Sequence, residues 1–177
     1  MRDRFLAAGI LLAIGLTGSA HGAHPALGEP VPQSSVTAAD ITVMPDGTGL
    51  PPGSGSAVGG RAIYLAQCAQ CHGPDGNAGP NDRLVGGRGS LGSDQPVKTV
   101  GSYWPYATTL FDYVRRAMPY PAPGLLSDEE VYAVTAYVLY LNEIIGEEAE
   151  LNATTLPEVE MPNRDGFTSA LTGAPTP

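Results

Sequence analysis

Gly60-Arg-Ala-Ile-Tyr64-Leu-Ala-Gln-Cys68-Ala-Gln-Cys71-His72 is the stretch on which the fold turns. From Arg61 to Cys71 it contains no breaker and sets Ile63, Tyr64, Cys68 and Cys71 at helical spacing, which predicts a short helix. The C-x-x-C-H spacing reads as c-type haem attachment: one helix presents both thiols to a single macrocycle, and the adjacent imidazole falls under the iron. Other readings fit less well. A thioredoxin-like redox pair belongs in a βαβ setting, whereas this chain has no alternating strand pattern longer than a few residues. A structural zinc site needs further Cys or His ligands, and only His21 and His24 remain. A disulfide between cysteines three apart on a helix is strained. The expected cofactor is therefore one covalently bound haem c, with Cys68, Cys71 and His72 as its anchors.

An iron held by one histidine needs a sixth ligand or keeps an open face. The candidates are Met44, Met118, Met161, His21 and His24. Met118 ends a helical pattern over 107–118, in which Leu110, Phe111, Val114 and Met118 share one face, and Pro119 stops that helix. Met118 is the expected axial ligand, with Met161, a histidine or an open iron as alternatives, and core filling as the bland reading of any methionine.

Downstream, Ser127-Asp-Glu-Glu130 is a capping box that opens the apolar run Val131 to Ile145, the strongest helical pattern in the chain. Between the two helical regions, residues 73–99 are rich in glycine and read as loop. Gly and Pro number 23 and 17 of 177 residues, well above ordinary usage, so much of the chain lies outside regular elements. The first residues carry Arg2 and Arg4, an apolar run from Phe5 to Leu16, and then small residues. That run is too short for a membrane span, which takes about 20 residues, and reads as a secretory signal over 1–20 with cleavage near Ala20 to Ala23. No membrane span is expected in the mature form. The expected organisation is a signal peptide, an extended Pro/Gly-rich segment over 21–57, a monohaem domain over 58–146, and an extended acidic tail over 147–177.

Charge narrows the partners. Lys and Arg total 9 against 18 Asp and Glu, a formal charge of -9, which excludes nucleic acid because phosphate neutralisation needs clustered cations. A basic protein surface is the natural complement. No paired carboxylates in helical register and no Ser-His-Asp candidates suggest a substrate site, so the redox unit is the cofactor itself. Trp104, Tyr103, Tyr106, Phe111 and Tyr113 form an aromatic group expected to wall the haem and fill the core. Arg88, in a Gly-Arg-Gly loop, suits a haem propionate, since a guanidinium pairs with carboxylates bidentately, although a solvated surface arginine is the competing reading.

Gly60-x-x-x-Tyr64-x-x-x-Cys68-x-x-Cys71-His72, a Met-Pro, and an acidic-capped helix containing Ala136-Tyr137-Val138 together resemble a class I cytochrome c. The resemblance implies a mainly α fold of three to four short helices around one haem. It also implies a glycine that lets the first helix cross the last, with Tyr64 and Tyr137 filling the crossing. Gly79-Pro80-Asn81 is similar to the family loop whose proline carbonyl, here that of Pro80, accepts a hydrogen bond from the haem histidine. A narrower resemblance rests on Pro45-Asp-Gly-Thr-Gly-Leu-Pro-Pro-Gly-Ser-Gly55, Gly86-Gly-Arg-Gly-Ser-Leu91, the run Lys98 to Leu110, and Met161-Pro-Asn-Arg-Asp-Gly-Phe167. These strings look like the cytochrome subunit of Sox-type sulfane dehydrogenases and related sulfite dehydrogenases. That family implies a periplasmic complex: a molybdenum subunit oxidises the sulfur compound and the cytochrome passes electrons singly to a downstream acceptor such as another cytochrome c. The extended segments share these strings, so they are expected to pack on the haem domain or on the molybdenum subunit through Leu156, Met161 and Phe167.

Overall fold

The structure, a computed structural model, describes residues 28–170. The expected signal segment lies outside the described residues. The chain divides into a unit spanning Met1–Thr37 and a compact unit spanning Ala38–Pro177, and the site lies in the second.

The architecture is mainly helical: α1 (Gln33–Ala39), α2 (Ala57–Gln67), α3 (Ala69–His72), α4 (Ala107–Ala117) and α5 (Asp128–Leu141). A small antiparallel ribbon joins β1 (Ser54–Ser56) to β2 (Glu150–Asn152), and a 3-10 turn follows at Leu156–Glu158. Ser56 caps α2 by accepting from the Gly59 N–H at 3.3 Å. The helix breaks at Cys68, and α3 then carries the rest of the C-x-x-C-H motif until Gly73, at φ 82°, ends it. The capping box of α5 is complete: Ser127 Oγ accepts from Glu130 N–H, and Ser127 N–H donates to Glu130 Oε2 at 2.8 Å.

α5 stops at Leu141, short of the Ile145 that its apolar pattern suggests. The cause is local. Glu143 adopts a left-handed φ of 56°, its N–H donates to the Tyr140 carbonyl, and the Ile144 N–H reaches back to Leu139. This is a Schellman closure without glycine at its turning residue.

α2 crosses α5 at Gly60, where a Cβ would overlap the Ala133 carbonyl. Absence of a side chain there lets the backbones meet. Tyr64 and Tyr137 fill the crossing with ring centroids 5.2 Å apart, and the Tyr64 hydroxyl donates to the Gly73 carbonyl at 2.9 Å in full burial. α4 joins through Phe111, whose ring meets Tyr132 at 4.5 Å, and through the Arg115–Asp128 ion pair at 2.9 Å.

The extended segments lie on this core. Val43 N–H donates to Asp112 Oδ1, Thr108 Oγ1 to the Pro45 carbonyl, and the Tyr132 hydroxyl to the Pro51 carbonyl, so residues 43–51 are strapped across α4 and α5. On the C-terminal side Leu151, Leu156 and Met161 are buried in the same hydrophobic core as the helices, and the Phe167 ring packs edge-on against Tyr103. A Pro-rich composition thus acquires order by lying on an apolar surface that offsets its ordering entropy.

Candidate functional site

Helices α2 to α5, with the loops following α3 and α4, enclose a cavity of about 730 Å³. Cys68, Cys71, His72 and Met118 all line it, among apolar side chains that include Leu84, Val100, Leu110, Val114, Val134 and Val138. Met161 and Met44 are elsewhere: Met161 is buried in the core and Met44 is exposed. His21 and His24 lie outside the described residues.

The electrostatics of the motif disfavour thiol redox chemistry. Burial, reinforced by the neighbouring Cys71, pushes the Cys68 thiol up to about 11, whereas reactive dithiols are held low by cations or a helix N-terminus. Among the described residues, no group of three or more His, Cys, Asp and Glu side chains gathers as a metal site needs.

His72 is oriented by its back side. Nδ1 lies 2.8 Å from the Asp82 carbonyl, and since a carbonyl only accepts, Nδ1 carries the proton and Nε2 keeps its lone pair. The carbonyl in place is that of Asp82 and not, as the sequence suggested, that of Pro80. The reason is that Asn81 N–H donates to the Cys71 carbonyl at 2.9 Å, which pins the loop one residue beyond Pro80 and brings the following carbonyl beneath the imidazole.

Arg88 is likewise placed away from the cavity. Its Nη2 donates to the Asn142 carbonyl at 2.9 Å, at the C-terminal end of α5 where exposed carbonyls and the helix dipole favour a cation. Asn142 organises this region. Its Nδ2 donates to the Leu84 and Val138 carbonyls while its Oδ1 accepts from the Gly86 N–H, so the loop that carries Arg88 is drawn to the helix end. Sequence reading missed Asn142, whose only signal is an amide closing an otherwise apolar helical face. It also missed two cations of the cavity lining, Arg83 and Lys98, although Lys98 stands out as the sole lysine.

The aromatic group divides. Trp104 and Tyr113 line the cavity and meet edge-on at 5.8 Å. Tyr106 carries the Arg164 guanidinium over its ring at 4.5 Å, Tyr103 packs with Phe167, and Phe111 is core.

The donor set fits a haem c. Two thiols stand in helical register, an imidazole has its distal nitrogen committed to a carbonyl, a thioether shares the cavity, and apolar walls surround them. Together with the Gly60 crossing, these features define a class I cytochrome c, and the chain belongs to that family. Residues 55–138 match the family of cytochrome c oxidase, cbb3-type, subunit III. The chain is similar to one in the crystal structure of the sulfane dehydrogenase SoxCD from Paracoccus pantotrophus, with 41% sequence identity and a TM-score of 0.74 over 80% of this chain and 70% of that one. No curated protein matches the sequence. Among the described residues, no helix is long and apolar enough to cross a membrane.

Proposed function

We propose that the protein is a periplasmic monohaem cytochrome c that carries electrons as subunit or partner of a molybdenum sulfite or sulfane dehydrogenase. The observation that carries this reading is the single cavity that gathers Cys68, Cys71, His72 and Met118. Cys68 and Cys71 would hold one haem through two thioether bonds, and His72 Nε2 and the Met118 thioether would hold its iron. Haem supplies a one-electron couple at its iron.

The chain's own residues set the conditions for that couple. The Asp82 carbonyl fixes the His72 tautomer and holds its ring in place. Leu110, Val114, Val134 and Val138 exclude water, which strengthens every charge interaction inside the cavity. No proton donor or acceptor is required, since an electron enters and leaves singly. Around Met118 the cavity mouth is apolar and open, with Tyr113, Tyr120 and Leu125 all exposed, and this face suits closely packed contact with a redox partner.

The likeness to a chain of a sulfane dehydrogenase supports the assignment of partner. Co-purification from the native periplasm, with metal analysis for molybdenum beside iron, tests it. A stable complex containing both metals is expected. A cytochrome that elutes alone and exchanges electrons equally well with unrelated respiratory enzymes would make it a free carrier instead.

A further inference from the structure

We propose that Arg83 and Lys98 form the clamp for the haem propionates, a deepening that rests on the haem reading above. In a chain with 9 Lys and Arg against 18 Asp and Glu, Arg88, Arg115 and Arg116 each meet a carboxylate or a carbonyl, whereas Arg83 and Lys98 stand at the cavity in neither kind of pair. Among the described residues the ion pairs are Arg115–Asp128 and Arg116–Asp112, and neither Arg83 nor Lys98 joins one. Both line the cavity, where the one carboxylate is that of Asp82, whose own carbonyl serves His72.

Their juxtaposition is built by the fold. Thr99 Oγ1 donates to the Gly86 carbonyl at 2.6 Å and Val100 N–H to the Leu84 carbonyl at 3.3 Å, so the stretches that begin at Arg83 and at Lys98 are clipped side by side. Asn142 Nδ2 fastens the same Leu84 carbonyl to the end of α5 at 3.0 Å. The Lys98 ammonium rests 5.0 Å from the centroid of the Tyr103 ring, a cation–π contact that limits its wandering while leaving its N–H donors free. Trp104 adds an indole N–H donor to the same lining. A ligand with two carboxylates and an apolar body matches an apolar cavity with two unpaired cations at neighbouring positions.

The test is redox titration of the holoprotein. A cation beside the cofactor favours the reduced state, which carries one positive charge fewer, so neutralising either residue should lower the reduction potential. Arg83→Gln and Lys98→Gln are each expected to lower it, the double variant further, with the thioether-to-iron absorption band intact. Arg61→Gln and Arg88→Gln, which remove charges outside the cavity, should leave it at the wild-type value. Loss of haem in either cavity variant, restored by Arg83→Lys or Lys98→Arg, supports the clamp as well, and loss without restoration overturns it. Equal potentials in all four glutamine variants overturn it too. A wild-type chain with no c-type spectrum would remove the cofactor reading and the clamp with it, an outcome distinct from unchanged potentials in a haem-loaded protein.

Discussion

Gly60 of α2 lies directly against the Ala133 carbonyl of α5, with no room for a Cβ between them. One helix neighbour away, Gly59 meets nothing nearer than Ser56 Oγ at 3.7 Å. Gly60→Ala should therefore force the helices apart and cost about 3 kcal/mol. Gly59→Ala should stabilise α2 by about 0.5–1 kcal/mol through its helix propensity. Denaturant melts of the two holoproteins, followed by helical ellipticity, check the pair, and similar effects at both sites would refute the role given to the crossing.

Met118 and Met161 separate ligation from packing. Met118→Ala should abolish the thioether-to-iron absorption band and admit cyanide or carbon monoxide to the iron. Met161→Ala should keep the band and lose about 2–4 kcal/mol of stability, because the side chain is only 3% exposed. The reverse pattern would reassign the ligand.

Burial raises the Tyr64 hydroxyl well above the ordinary phenol range, with the nearby Cys68 adding to the effect. The folded state therefore holds this proton more tightly than the unfolded chain does. Its contribution is complete below the unfolded value near 10 and falls as pH rises beyond it. Tyr132 is shifted in the same direction by burial. Tyr64→Phe should cost about 1–2 kcal/mol at neutral pH, by leaving the Gly73 carbonyl without its donor. The variant should also show a shallower loss of stability between pH 9 and about 11 than the wild type. Melts at a series of alkaline pH values decide it, and parallel curves would remove Tyr64 from the account.

Glu143 turns the end of α5 with a φ of 56°, a conformation that costs a residue with a side chain about 1 kcal/mol. Glu143→Gly should raise stability by roughly that amount, since the Schellman bonds to Leu139 and Tyr140 run through the backbone and survive. A lower melting temperature in the variant would show that the carboxylate has a role of its own.

What the sequence disclosed is what is local. C-x-x-C-H, the Ser127–Glu130 capping box and the periodicity of α4 and α5 are each written within a few adjacent turns, and Gly60, Tyr64 and Tyr137 follow from a family pattern with fixed spacing. What it hid depends on partners far along the chain. β1 and β2 have three residues each, too few to show a period, and become strands by pairing with each other. Which carbonyl serves His72, and where Arg88 reaches, were not legible because a glycine-rich loop has no internal period to say which carbonyl or side chain faces inward. Asn142 and Asn81 decide that through single hydrogen bonds.

The register that sets Ser54 beside Asn152 and Ser56 beside Glu150 joins stretches on opposite flanks of the helical region in the sequence. Closing so long a loop costs conformational entropy, which the pairing and the burial behind it offset. β1 rests on α5, and β2 leads to the buried Leu156 and Met161, so this ribbon ties both flanks of the chain to the helical core. The two flanks of the helical region are thereby fastened to each other as well as to α5, so severing either one would leave the other without its partner strand.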